Sequence, residues 1–419
     1  MKKTCKQSTF IAIVLLIFSF SAKAQCLYAW KYNVPIVVTN NTTTSLSEYQ
    51  VKLTVNTSSP ILAGKMISTG DDIRFVDSGS CNTMPYWIES GMNTATTVIW
   101  VKLPKLPSKA HRTIKMFYGN PSAIPASNGD STFLIFDNFP GSQLSTKWQN
   151  YENNAMYSIL GNELTITSGS GTQVGTSIFV SYASFTSPVI AEMMVDSATG
   201  YYTHLGLVNS GTLTGYTLFF GANAGANNGM HMGKSFSNGG SFSTSFIDTN
   251  AKPGNLSGTW SMAWPASNIQ AGSWPGGSFK AASTGLTLGG SVQVAFGMDW
   301  TSIGTTAIKW VRARNYASSE AAATVGQEEL TGIDNPVLAN SLKIYPNPVH
   351  DMLYIDFSNS KYNFETIDLL NIDGRTIGKY MIPQGSSTTE IPTQNIARGM
   401  YFLRINGKSE SFVQKITLD

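Results

Sequence analysis

Apolar and polar residues alternate with a period of two wherever the chain has a clear pattern. In Tyr49-Gln50-Val51-Lys52-Leu53-Thr54-Val55 the odd positions are apolar and the even ones polar, as in a half-buried strand. Val98 to Leu103 and Ile114 to Tyr118 are also rich in strand-forming residues. Farther on, Val292, Val294, Phe296, Met298 and Trp300 share one face of a strand, with Ser291, Gln293, Ala295, Gly297 and Asp299 on the other. That pattern predicts Trp300 in a core. Asn162 to Ile166 reads as a strand after a glycine turn, and Leu353, Ile355 and Phe357 alternate near the end. Clusters of Gly, Pro, Asn and Asp separate these runs, as in all-β proteins. No amphipathic helix of useful length interrupts them. The expected fold class is all-β, with three consecutive β-sandwich domains after a signal peptide.

Composition agrees. Charged residues are 13% of the 419, about half the ~25% usual in soluble domains. Gly, Ser, Thr and Asn take their place, which suits a turn-rich extracellular protein. The net charge of +3 is not gathered into a basic stripe, so no nucleic-acid partner is expected.

The first 24 residues read as a secretion signal. Lys2, Lys3 and Lys6 precede an apolar run from Phe10 to Phe20, and Ala22-Lys23-Ala24 places the cut between Ala24 and Gln25. That run is short for a bilayer span, and no second apolar run of spanning length follows. The mature protein is therefore expected to have no transmembrane segment. Lys23-Ala24-Gln25 before Cys26 is unlike a small, apolar lipobox. Removal of the leader leaves Cys26 and Cys81, to be joined in a disulfide in an oxidising compartment or left as two free thiols.

Three resemblances organise the remainder. Trp30-Lys31-Tyr32, Val34-Pro35-Ile36, Asp71 to Phe75, Pro85 to Glu89, Ile99 to Pro104 and Met116 to Asn120 occur in that order. The series resembles a bacterial extracellular family of unknown function, DUF2341, which implies a β-sandwich over 25–132 and no assigned activity. Residues 133–330 open with Phe136-Asp137-Asn138-Phe139 and close with Trp310 to Tyr316 and Gly326 to Glu329. These ends look like those of concanavalin A-like, laminin-G-like jelly rolls. A linker over 331–341 follows. Residues 342–419 hold Tyr345-Pro346-Asn347-Pro348, Gly374, Gly399, Tyr401 and Lys415, and resemble the type A C-terminal sorting domain of the type IX secretion system. This implies a small Ig-like sandwich, a Bacteroidota-type source, the secretion machinery as partner, and an extracellular or outer-surface destination reached through the periplasm. Asp373-Gly374 and Asn406-Gly407 read as hairpin turns within it.

No catalytic constellation stands out, and the protein is not expected to be an enzyme. A retaining glycosidase needs two carboxylates about 5–5.5 Å apart, yet acids are sparse between 133 and 330 and no Glu-x-Asp-x-x-Glu occurs. Nor is there a Gly-x-Ser-x-Gly elbow or a phosphate-cradling loop. Binding has better material. Aromatic rings stack on the apolar faces of sugars, and Trp260, Trp264 and Trp274 cluster in a loop-rich stretch. Trp274 lies between Gly-Ser and Pro-Gly-Gly, which suggests an exposed turn. Trp310, Arg312, Arg314 and Tyr316 share a face, with Arg312 and Arg314 as further ligand candidates. Against these stands burial of the tryptophans in cores and a merely solvated arginine face. No cofactor is expected beyond a structural calcium, for which Asp137 and Asp299 are the candidate carboxylates and turn capping is the competing use. Asp130-Ser131-Thr132 and Asp196-Ser197-Ala198 resemble the O-glycosylation acceptors of exported Bacteroidota proteins. The functional expectation is non-catalytic binding at or beyond the cell surface, to polysaccharide or in adhesion. The alternatives are a secreted glycan-cleaving enzyme and a structural or protein-binding surface component.

Overall fold

The alternation at Tyr49 to Val55 becomes the strand Leu46–Val55. Its apolar positions Tyr49, Val51, Leu53 and Val55 are all but fully buried. This strand pairs with Thr97–Leu106, which in turn pairs with Tyr86–Ser90, in a three-stranded antiparallel sheet. The facing sheet is built around Tyr32–Thr39 and His111–Tyr118, extended by Arg74–Asp77 and Thr83–Met84. Ile36, Val38, Phe75, Ile114, Tyr49, Leu53, Ile99 and Leu103 close the core between them. Here and below the structure is a computed structural model. It describes Leu27 and residues 29–330 and 342–419, apart from 79, 154–155, 168, 171–172, 175–176, 200–202, 210–214, 223–227, 235–243, 249–255, 267–268, 276–279, 284–289, 299–303, 361–362, 372–373 and 408–410.

The second sandwich packs an eight-stranded sheet on a seven-stranded one, all antiparallel among the described residues. Thr305–Asn315 and Val189–Ala198 lie at the centre of the first sheet, paired along nearly their whole lengths. Val292–Met298 and Thr203–Asn209 hold the same place in the second. Val292, Val294, Phe296 and Met298 face the core as their alternation requires. Trp300 and Asp299 lie outside the described residues. The opposite face is not simply wet, since Ala295 is buried with Ile178, Val180 and Val208.

The two sandwiches form one compact unit, Ala29–Glu329. The chain leaves the second sandwich after Asn315 and returns to the first. Ala322–Val325 adds to the open edge of Tyr32–Thr39, with Ile36 opposite Val325 and Thr39 opposite Ala322. The sequence-based boundary at 330 had put these residues in the jelly roll. Ala-Ala-Thr-Val has no apolar alternation to tell the two sheets apart.

The C-terminal unit is a smaller sandwich. Lys343–Tyr345, Met352–Asp356 and Thr388–Pro392 form three strands, and Thr376–Met381, Phe364–Leu370, Gly399–Gly407 and Ser411–Leu418 form four. Leu353, Ile355 and Phe357 face its core as predicted. Gly374, between Phe364–Leu370 and Thr376–Met381, has φ +78° and donates to the Asn371 carbonyl, while Asp373 of the predicted turn lies outside the described residues. Asn406-Gly407 is not the other turn. Both residues stay in the strand, with Asn406 opposite Ser411 and its amide on the Asp368 carboxylate. The Asn347 side chain accepts from the Thr417 amide and donates to the Lys415 carbonyl, tying the Tyr345-Pro346-Asn347-Pro348 segment to the last strand. Tyr401 is buried with its hydroxyl on the Ala397 carbonyl, one step after Gly399-Met400, while the Lys415 side chain is exposed.

Candidate functional site

The face shared by Trp310, Arg312, Arg314 and Tyr316 is the outer face of the eight-stranded sheet, and the three-stranded sheet of the first sandwich lies on it. Trp310, Arg312 and Arg314 are buried, so the expectation of a solvated or ligand-binding arginine pair is corrected. The Arg312 guanidinium sits 4.2 Å from the ring centre of Trp310 and 4.3 Å from that of Trp100, with Phe133 at 4.8 Å. Trp87 meets Phe133, Phe136 and Trp310 edge-on at 5.6, 4.7 and 5.8 Å. Each such ring pair adds about 0.5–1.5 kcal/mol beyond burial alone.

Carboxylates compensate the two cations. Glu192, opposite Arg312 in the ladder, accepts from Arg312 Nε at 2.7 Å and from Arg314 Nη2 at 3.0 Å. Glu89 on the first sandwich takes Arg312 Nη1 at 2.6 Å and the Trp100 indole at 2.7 Å. Burial alone would push the Glu192 carboxyl up, but Arg312 and Arg314 overcome it and hold it down at about 2. Arg314 also pairs with Glu320 at 2.9 Å, and Glu320 accepts from the Tyr49 hydroxyl. Burial, with the Glu320 charge added, raises the Tyr49 hydroxyl well above its usual range. Gln50, fully buried, joins the two sandwiches by accepting from the Asn315 amide and donating to the Thr132 carbonyl.

At the end of this seam the sandwiches part into a cleft of about 310 Å³. Thr42, Thr44 to Ser47 and Tyr49 line one side, and Pro188, Pro265 and Asn315 to Ser318 the other. Beside this space the Asn315 side-chain amide occupies the edge of Leu46–Val55, donating to the Ser47 and Glu48 carbonyls at 3.2 and 2.8 Å. Tyr316 is half-buried, braced on Ile190, Ala263 and Ala271. Seams between domains are common ligand sites, at volumes of roughly 300–1,000 Å³.

The other predicted ligand residues do not reach solvent. Trp260, Trp264 and Trp274 are buried at 0%, 2% and 4% exposure in the core of the second sandwich, and Trp260 donates to the Leu256 carbonyl. They are structural, because alternation along Gly258–Ala266 points both Trp260 and Trp264 inward and the turn at Trp274 tucks its ring under. Asp137 accepts from the Phe139 amide, the Ser145 hydroxyl and the Trp148 indole, at 2.8, 2.7 and 2.7 Å. It serves as the turn cap weighed against calcium. Cys81 is disulfide-bonded. Cys26 and the expected cut at Ala24 and Gln25 lie outside the described residues, as does the linker 331–341. Ser131 and Ser197 are exposed. Sequence reasoning missed Tyr49, Glu192, Glu89, Glu320 and Asn315. The polar run Asn40 to Ser45 between two strands was the available signal for the cleft.

Residues 69–151 match the model of a family described as a domain of unknown function (DUF2341), and residues 343–419 that of a secretion system C-terminal sorting domain. The first match contains Trp87, Trp100, Phe133 and Phe136 of the seam. The second shows that the chain carries a type IX sorting domain, consistent with an extracellular or cell-surface destination. No curated protein matches the chain. Similar solved structures include a glycosyl hydrolase family protein from Mycobacterium fortuitum, 14% identical, covering 43% of this chain and 99% of its own, with a TM-score of 0.32. Beta-agarase A from Zobellia galactanivorans is 12% identical, covering 45% and 90%, with a TM-score of 0.33. An endo-beta-1,3-glucanase from Pyrococcus furiosus is 12% identical, covering 45% and 95%, with a TM-score of 0.33. Among the described residues no helix is long and apolar enough to cross a membrane.

Proposed function

We propose that this is a secreted or cell-surface protein of a Bacteroidota-type bacterium that binds polysaccharide without cleaving it, in the cleft between its first two sandwiches. The observation that carries this reading is the lining of the cleft. Half-buried Tyr316 and two prolines offer apolar surface beside the hydroxyls of Thr44, Ser45, Ser47 and Ser318. Sugars need both kinds of contact, since their C–H faces rest on rings while their hydroxyls require polar partners. The carboxylates nearest in the bonding network, Glu320 and Glu192, are engaged with Arg314, which favours a holding role over general acid–base work.

The test is retention of the full chain on a panel of insoluble polysaccharides, with reducing ends assayed in the same tubes. Retention without release is expected. Retention on none of them would overturn binding, and release of reducing ends would replace passive binding with cleavage.

A further inference from the structure

Resting on the glycan reading above, we infer that the cleft selects an uncharged glycan and rejects uronate-bearing or sulfated ones. The cleft lining, Thr42, Thr44 to Ser47 and Tyr49 on one side and Pro188, Pro265 and Asn315 to Ser318 on the other, contributes no charged side chain. Three cations on neighbouring segments are engaged. The Lys109 ammonium donates to the Asn41 carbonyl at 2.6 Å. Lys102 lies 3.5 Å from Glu48. Arg314 is buried between Glu192 and Glu320.

Two carboxylates reach solvent beside the cleft, as does Lys105 opposite Ser47. Glu48 next to Ser47 and Glu320 bonded to Tyr49 have side chains 59% and 53% exposed. An anionic sugar entering here loses hydration, meets no cation in the lining itself, and passes two carboxylates of its own sign. A neutral sugar has the opposite balance. Its C–H face lies on Tyr316 and the prolines, and its hydroxyls donate to carbonyl and carboxylate oxygens. Because no ion pair forms, retention is expected to be indifferent to salt.

The experiment compares the full chain with its Tyr316→Ala and Tyr316→Phe variants. Binding is measured by affinity electrophoresis in gels holding neutral polymers (a β-1,3-glucan, agarose, xylan) or anionic ones (alginate, carrageenan), at low and high salt. Thermal melts establish that both variants are folded. The expected result is retardation by a neutral polymer, unchanged by salt, roughly tenfold weaker in Tyr316→Ala and preserved in Tyr316→Phe. Retardation by anionic polymers alone, lost at high salt, overturns this inference and leaves the glycan reading standing. Retardation by a neutral polymer that Tyr316→Ala does not change also overturns it, by moving the site away from the cleft. No retardation by any polymer removes both.

Discussion

Arg312, on the central strand of the second sandwich, sets its guanidinium 4.3 Å from the ring centre of Trp100 on the first. The contact is sealed by Glu192 from one sandwich and Glu89 from the other. Arg312 and Glu192 from the second sandwich and Glu89 from the first thus meet beside an aromatic wall. Removing one partner of a buried pair leaves the other uncompensated and costs about 3–5 kcal/mol. Arg312→Ala is therefore expected to destabilise the protein by that amount in urea unfolding. Arg312→Lys keeps the charge but loses the planar stack and the fork, and should recover only part of it. A loss below about 1 kcal/mol for Arg312→Ala would mean that the seam behaves like an exposed surface pair.

Acid should loosen the same seam. The Glu192 carboxyl, although burial opposes its charge, is held at about 2 by Arg312 and Arg314, against an ordinary 4.5. A carboxyl lowered in the folded state contributes stability that is fully present above its unfolded value and lost as pH falls through its folded one. The window is therefore between about 4.5 and 2. Melting temperatures across it should fall for the native chain and fall less steeply for Glu192→Gln, which starts lower. Parallel profiles for the two would assign the acid sensitivity to other groups.

The row Trp310, Arg312, Arg314 and Tyr316 was legible as one face because strand alternation is fixed by the backbone. What covers that face was not legible. Period two says which residues point together, and the covering sheet, with Gln50, Trp87 and Trp100, comes from more than two hundred positions upstream. For the same reason Trp260 and Trp264 could be paired on a face but not assigned to the inside. At Trp274 the glycines and Pro275 did mark a turn, yet turn chemistry sets backbone angles and not where the ring goes. The strands around Leu53 and Leu353 were readable throughout, since local alternation and final burial agree there. The cleft was the least visible feature, because it arises where two domains part.

Asp137 gives a prediction about metal dependence. Its carboxylate accepts from Phe139, Ser145 and Trp148 while buried at 2% exposure. Hydrogen bonds to a charged acceptor contribute roughly 1.5–3 kcal/mol each, and stranded buried donors cost more. Asp137→Ala should therefore lower stability by about 3 kcal/mol or more, and Asp137→Asn by less. If turn capping is the whole role, a chelator leaves the melting temperature of the native chain unchanged. A drop on chelation that calcium reverses would show that the carboxylate also serves a cation.

The first sandwich should not fold properly without the chain that follows the second. Ala322–Val325 completes its sheet against Tyr32–Thr39, and the Gly326 amide donates to the Pro35 carbonyl at 2.8 Å. Glu328 then pairs with Lys65 and accepts from Tyr118, and Glu329 pairs with Lys115 at 2.7 Å. A fragment of residues 29–132 lacks all of this. It leaves the edge of Tyr32–Thr39 open for pairing with other chains, and bares Trp87 and Trp100, which are only 8% and 3% exposed in the intact unit. The fragment is expected to self-associate and to unfold over a broad range of denaturant. Fusing residues 318–329 through a short flexible linker restores the missing strand but not the cover over the tryptophans. That version should unfold cooperatively and still associate, until Trp87 and Trp100 are replaced by polar residues. Size-exclusion chromatography and urea titrations of the three proteins separate the two contributions. A monomeric, cooperative fragment of 29–132 alone would refute the split-sheet account, because it would show that neither the returning strand nor the second sandwich is needed.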